Sequence, residues 1–430
     1  MIDIEKEYSE LSLFLKDNNV VIPQNQELDI YNIIELIFEK NSPSTAFYII
    51  NLADIIHQLK FWKELFPHIE PRYAVKCNPN KVICQLLGLL GVGFDVASKN
   101  EINLVKDYVN DISNVIYANP YKESSSIQYA RSMDVDMTVF DSEYELYKIK
   151  LYHPNCKLLV RLKVDDKASL CKFSEKFGVD IMEVRNLLEC AKNMNLNVIG
   201  CCFHVGSGCG DAEQYYSALK IVKEVFDMGK EIGLNMDMID IGGGFPGMRD
   251  ENSEIFLKSI KNAVDRGLTE FFSRDYFIDK FNENRDKPKL KLISEPGRYF
   301  VQTSHTLMVN IIGKKVKYFP KDDGKKERVC YYYLNDGIYG SFNCIFFDHQ
   351  KPEILPYNER DGQRYKSMIF GPTCDSIDKI CDNLALPELE IGEWCFVKNF
   401  GAYTVAAATD FNGFTKLKAF YILGDVQNNF

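Results

Sequence analysis

From about residue 45 to residue 299 the chain alternates short apolar runs with longer segments in which apolar residues recur three and four apart. The apolar runs are TAFYIINL, YAVKCN, GFDVAS, VIYANP, MTVFD, LLVRLKV, VIGCCFHVG, MIDIGGG and LKLISEPGRY, each closed by a turn residue or a charged group. Between them NKVICQLLGLL, SEYELYKIKLY and DAEQYYSALKIVKEVFDMGKEIG have the spacing of helices that bury one face. Alternation of strand and helix predicts a parallel sheet, and strands so continuously apolar predict one covered on both faces. An open doubly wound sheet and a closed (β/α)8 barrel share this pattern. The polar residues favour the barrel, because Lys76, Asp95, Asn119, Arg161, His204 and Gly242 stand at the C-terminal ends of successive strands. A TIM-like barrel gathers those ends at one mouth.

After residue 300 the texture changes. HTLMVNIIGKKVKYF, RVCYYYLNDGIYGSFN, KSMIFGPTC, EWCFVKNFGAYTV and KLKAFYIL follow one another across short turns with almost no helical spacing, which predicts a separate all-β domain over 300–430. The expected organisation is an N-terminal segment, 1–44, that joins the β domain, then a barrel over 45–299, then the β domain. The charge-rich KKVKYFPKDDGKKER holds both signs and predicts a solvated hairpin. The stretch TEFFSRDYFIDKFNENRDK, before the last barrel strand, predicts an added helical excursion.

Composition narrows the classes of function. At 430 residues, 46% of them hydrophobic, the chain can bury a large core, and its net charge of −10 gives no general attraction to nucleic acid or anionic membranes. Thirteen cysteines without a C-x-x-C read as reduced thiols rather than a disulfide framework. The start, MIDIEKEYSELS, shows no secretory signal, and VICQLLGLLGVGFDVA is too short and too interrupted to span a membrane. A soluble, cytoplasmic protein is expected.

The polar residues at the strand ends carry the candidate chemistry. Lys76, ending YAVK, is either snorkelling to water or held for reaction as an amine. DIGGGFPG matches G-x-G-x-x-G at Gly242, Gly244 and Gly247, but Pro246 disturbs the turn and no acidic strand end follows about twenty residues on, which argues against a dinucleotide site. Bare backbone at a strand end still suits an anion such as phosphate, and so do the fork of Arg298 and the room left by Gly297. Glu295 ends an apolar strand, where a carboxylate needs a cation or a proton donor, and a protonated pyridine nitrogen would serve. His204 ends another apolar strand and is either a satisfied core group or a flat face for a flat cofactor. With six histidines and none at ligand spacing, no metal site is expected. An amine, an anion cradle and a buried carboxylate together describe a pyridoxal 5′-phosphate site.

At that point the chain resembles the eukaryotic amino-acid decarboxylases of the alanine-racemase-like, fold-type III PLP-dependent family. The motifs YAVKCNPN, GFDVASKNEI, CFHVGSG, DIGGGFPG, EPGRYFV, NDGIYGSFNCIFFDH and GPTCDSIDKI occur in family order from about residue 40 nearly to the C-terminus. The resemblance implies PLP-dependent decarboxylation of L-ornithine to putrescine and CO2, with lysine or arginine as alternative substrates and an inactive regulatory homologue as the alternative of another class. Such homologues tend to lose the reactive lysine or the catalytic cysteine, and both are present here.

By this resemblance Lys76 holds the cofactor covalently, Asp95 and Glu101 are acids near it, and Arg161 lies at the barrel mouth. His204 stacks on the cofactor ring and Glu295 partners its nitrogen. Ser207, Gly242, Gly243, Gly244, Arg298 beside Gly297, and Tyr403 serve the phosphate. Cys374 governs protonation after CO2 leaves, while Asp375 and Asp348 hold the substrate's distal ammonium. Phe347 stands where animal members commonly have an aromatic hydroxyl, so a hydrogen-bond donor is lost beside the substrate. The resemblance further implies a homodimer with shared active sites, the partner donating GPTCDS, and leaves open an antizyme-like regulator.

Overall fold

The computed structural model describes residues 4–22, 30–272, 290–322, 324–358 and 360–424. The chain forms two compact units, Leu59–Tyr299 and Met1–Gln58 with Phe300–Phe430.

In order along the chain, the first strand is β1 (Phe47–Asn51), and then come β2 (Ile69–Ala74), β3 (Gly93–Val96), β4 (Val115–Tyr117), β5 (Met137–Phe140) and β6 (Lys157–Arg161). After β6 come a short β7 (Ser169–Cys171), β8 (Asn197–Cys202), a short β9 (Ser207–Cys209), β10 (Met238–Asp240) and β11 (Lys291–Ser294). Eight of these close into a barrel in the order β10-β11-β2-β3-β4-β5-β6-β8, and every pairing is parallel. Ile116, Met137, Val139, Leu159, Met238 and Ile293 form one buried cluster drawn from five strands of the barrel. β7 and β9 pair apart from the barrel as a two-stranded ribbon.

The other unit is a mixed sheet built on β12 (His305–Pro320), β13 (Lys326–Leu334), β14 (Leu355–Pro356), β15 (Arg364–Phe370), β16 (Lys379–Pro387), β17 (Trp394–Val397) and β18 (Lys418–Ile422). Its strand order is β14-β17-β12-β13-β15-β16, with β1 antiparallel to β12 and parallel to β18. β12 and β13 form a hairpin paired out to Pro320 and Lys326, and this hairpin carries the charge-rich stretch. Ile30, Ile33, Ile34 and Ile37, on the helix Ile30–Asn41, bury against Phe47, Ile49, Met308, Phe396 and Ile422.

The strand that was expected to open the barrel is corrected by this topology. TAFYIINL forms β1, which belongs to the second sheet, so the barrel unit begins at Leu59 rather than at residue 45. All five residues of β1 are buried, so burial alone could not tell the two sheets apart. Only its long-range pairing with β12 and β18 decides, and such pairing leaves no local signal. Of the predicted excursion before β11, the beginning lies in the helix Glu251–Phe271, and residues 273–289 lie outside the described residues.

Candidate active site

β2 ends at Ala74, and Lys76 sits in a single 3-10 turn, Val75–Cys77. The Asn78 amide donates back to the Val75 carbonyl, and the Tyr73 hydroxyl donates to the Asn78 carbonyl at 2.9 Å. The side chain of Asn80 then accepts from Val82 and Ile83 N–H and starts the next helix, so CNPN is a strand stop followed by a helix cap. Lys76 is left with its Nζ 3.1 Å from Asp95 Oδ2, the lysine part-exposed and the aspartate buried. Glu101 does local work as well. Its Oε2 accepts from Ala97 N–H at 2.6 Å while its own amide donates to the capping Ser98, and burial pushes its carboxyl upward.

The neighbouring strands β11, β10 and β8 lead into the anion cradle. Gly242 and Gly244 adopt φ of 66° and 105°, in the left-handed region. Gly243 is needed for closeness: an added Cβ would lie 2.8 Å from the Glu295 carbonyl and 2.8 Å from His204 Nε2. Tyr215, which is fully buried, donates its hydroxyl to the Gly243 carbonyl at 2.8 Å and holds the loop from behind. Ser207 Oγ accepts from Arg298 Nη2 at 3.1 Å, which joins two of the expected phosphate groups. Gly297 lets the turn before Arg298 press on the lysine turn, for a Cβ there would meet Cys77 Cβ at 2.9 Å.

His204 Nδ1 accepts the Gly206 N–H at 2.9 Å, so a neutral ring carries its proton on Nε2. Burial, then the charges of Lys76 and Arg161, hold this imidazole well below its ordinary pKa. Phe173 meets the ring edge-to-face, with centroids 4.9 Å apart, and the Arg161 guanidinium lies 5.1 Å from the Phe177 ring centre.

Glu295 is 6% exposed and its backbone N–H donates to the Gly242 carbonyl at 2.7 Å. Beside it is a residue that sequence reasoning missed: Asp240, wholly buried at the end of β10, whose Oδ1 accepts from Gly242 N–H at 2.8 Å. Its Oδ2 meets no N–H or O–H donor, but a proton on Glu295 turns the contact between the two carboxyls into a hydrogen bond. Burial, then the negative charges of Asp240 and Asp95, push Glu295 well above the carboxylate range, and burial pushes Asp240 up to about 7. The signal for Asp240 was available. It ends the apolar run MID just as Glu295 follows KLIS, and the same burial argument applies to both.

This pocket fits the cofactor expected from the sequence. An orphaned carboxylate oxygen on Asp240 and a raised Glu295 describe a place short of positive charge, which a protonated ring nitrogen supplies. Within three strand ends stand a glycine cradle without side chains and an arginine, the donor set of a phosphate.

The remaining expected residues lie in the other unit. Cys374 is the exposed one among thirteen cysteines, and its N–H donates to Asn412 Oδ1 at 2.9 Å. Asp375 accepts from the Tyr339 hydroxyl and from Ile377 N–H, and these two hold its carboxyl below the usual range. Its loop is built on the buried Asp378, which accepts from Ile338 N–H, Thr373 N–H and the Thr373 hydroxyl. Asp348 is buried and accepts from Gln350 Nε2 at 2.6 Å, whereas Phe347, ending the helix Cys344–Phe347, is 70% exposed. Tyr403 adopts φ of 58°, a strained setting for a side chain of its size. Sequence reasoning missed Tyr339, whose ring stacks on Phe411 at 4.3 Å, and Asp378, which stood unremarked inside GPTCDSIDKI.

Comparison with known proteins agrees with this geometry. The family described as "Pyridoxal-dependent decarboxylase, pyridoxal binding domain" matches residues 52–302. The chain is 42% identical to ornithine decarboxylase of Rattus norvegicus over 385 residues, 88% of this chain and 80% of that protein. It is also 42% identical to antizyme inhibitor 2 of Xenopus laevis, over 88% of this chain and 81% of that protein. The arginine decarboxylase of Paramecium bursaria Chlorella virus superposes with a TM-score of 0.82 at 33% identity, covering 91% of this chain and 100% of that one. The chain belongs to the pyridoxal-dependent decarboxylase family.

Proposed function

We propose that the chain decarboxylates L-ornithine to putrescine and CO2 with pyridoxal 5′-phosphate. The observation that carries the reading is Lys76, paired with Asp95 at the mouth of a closed barrel that also presents the glycine cradle and a buried, proton-hungry Glu295. Pyridoxal phosphate, when bound, supplies a carbonyl for amines and a ring that accepts the electron pair freed when CO2 leaves. Lys76 would hold its aldehyde carbon, and Asp95, 3.1 Å from the Lys76 amine, would orient that amine. Glu295, with Asp240 behind it, keeps a proton on the ring nitrogen. His204, neutral, would offer its flat face to the ring. Ser207, the amides of Gly242, Gly243 and Gly244, Arg298 and Tyr403 bind the phosphate.

Asp375 and Asp348 take the distal ammonium of the substrate, and Cys374 delivers the proton to Cα. Two carboxylates suit an amine drawn from water better than a neutral polar group does. Curated ornithine decarboxylases at 40 to 42% identity, from Caenorhabditis elegans to Mus musculus, support ornithine over the lysine and arginine acted on by structural relatives near 30%. The reading includes a cytoplasmic homodimer, each copy's GPTCDS loop serving its partner's site, and regulation by an antizyme-like protein. Among the described residues no helix is long and apolar enough to cross a membrane, and no disulfide joins any of the thirteen cysteines.

A second reading, a regulator without activity, is favoured by the likeness to antizyme inhibitor 2. Release of CO2 from labelled ornithine, lysine and arginine separates the two. Ornithine turning over fastest is the expected result, and PLP-bound protein that releases CO2 from none of them refutes the enzyme.

A further inference from the structure

The excursion between β6 and the helix Ile181–Asn193 touches three groups of the candidate site. Phe173 stands edge-to-face with His204, at 87° between planes, and Phe177 lies under the Arg161 guanidinium. β7 pairs with β9, Cys171 opposite Ser207, so the strand that presents Ser207 to Arg298 leans on the same excursion. The Ser169 hydroxyl donates to the Val205 carbonyl at 2.5 Å, one residue from His204.

One buried carboxylate folds this bracket. Asp166 is 3% exposed, and its Oδ2 accepts from Phe173 N–H at 2.6 Å and from Ser174 N–H at 2.8 Å. Its Oδ1 accepts from the Ser174 hydroxyl at 2.6 Å, and its carbonyl accepts from Ser169 N–H at 3.1 Å. Burial pushes this carboxyl up, but the Ser174 hydroxyl and the two amides outweigh it and hold the group below the usual range. Withdrawing a carboxylate from water is costly, and these three hydrogen bonds come from the two residues that set the direction of the Phe173 side chain.

We propose that Asp166 is a positioning residue for the cofactor site. Through Phe173 it fixes the plane of His204, and through the β7–β9 ribbon it fixes Ser207, for a flat aromatic cofactor that bears a phosphate. The role assigned to the cofactor rests on the function proposed above. Asp166→Asn turns one acceptor oxygen into an amide that faces N–H donors, and Phe173→Ala removes the ring while leaving Asp166 intact.

The test uses the full-length chain and two readouts. In cofactor-free protein, modification of His204 by diethyl pyrocarbonate, followed by mass spectrometry, should quicken about tenfold in both variants, as expected for losing charge-assisted hydrogen bonds or the ring they hold. In titrations with pyridoxal phosphate followed by absorbance, both variants should bind about tenfold more weakly, and Phe173→Leu should recover part of the loss. His204 reactivity within twofold of the parent overturns the proposal. So does quickened reactivity with unchanged cofactor affinity, because the excursion would then be a loop without hold on the site. If Asp166→Asn does not fold, Phe173→Ala decides by the same two readouts. A parent chain that takes up no pyridoxal phosphate refutes the proposed function, and the His204 reactivity still judges whether Asp166 holds the ring.

Discussion

Gly243→Ala separates two reasons for which a glycine is kept. Gly243 is not in the left-handed region, so alanine meets no backbone strain there, yet its methyl group would lie 2.8 Å from both the Glu295 carbonyl and His204 Nε2. Ordinary contacts for such a carbon begin near ~3.4 Å, so each neighbour must yield by about half an ångström. Overpacking of this kind costs about 1–3 kcal/mol, and here the displaced atoms belong to the site itself. A shift approaching ~1 Å in a reacting constellation can lower the rate about 100-fold. Gly91→Ala is the control: φ is 78° but no heavy atom lies within 4 Å of the added Cβ, so the expected loss is about 1 kcal/mol of stability with the site untouched. Urea unfolding, pyridoxal phosphate titration and CO2 release on both variants provide the comparison. Gly243→Ala that folds, binds the cofactor and turns over like the parent would refute the claim that this glycine is kept for the closeness of His204 and Glu295.

Other expectations follow from the same site. Lys76→Ala should fold and bind pyridoxal phosphate weakly without a borohydride-reducible adduct, and a retained adduct by mass spectrometry would remove Lys76 from its role. Burial pushes the Asp240 carboxyl up to about 7 in the folded state, above its ordinary value of 3.8, so the folded state binds the extra proton and the cofactor-free protein should lose stability as pH rises from about 4 through about 7. Asp240→Asn should flatten that slope, and denaturant midpoints across the range, with and without cofactor, measure it. Tyr339→Phe removes the hydroxyl that orients Asp375, and KM for ornithine should rise about fivefold with kcat little changed. An unchanged KM would leave Tyr339 a packing residue.

Much of the site could be read because its residues sit where a rule forbids bland ones. A lysine closing an apolar strand, a run of three glycines after another, and a carboxylate following KLIS each break the local pattern, and local pattern is what a sequence displays. Asp166, Tyr215, Tyr339 and Asp378 were not legible for the opposite reason. Each acts on a partner, and in the sequence each is an ordinary turn aspartate or an ordinary tyrosine. Tyr215 serves Gly243 from a helix 28 positions away, and Tyr339 serves Asp375 from 36 positions away.

By itself, the sequence determined the alternation of strand and helix, the strand-rich second half and the identity of the groups at the strand ends, which together favoured a barrel. Periodicity and apolar content are properties of each segment alone. The tertiary structure decided what depends on pairing. It sent β1 to β12 and β18, placed Asp240 against Glu295 so that two carboxyls contend for a proton, and used Asp166 to seat Phe173 on His204. The physical reason is range. A strand's apolar content is set by its neighbours in the chain, whereas a charge state and a ring plane are set by neighbours in space.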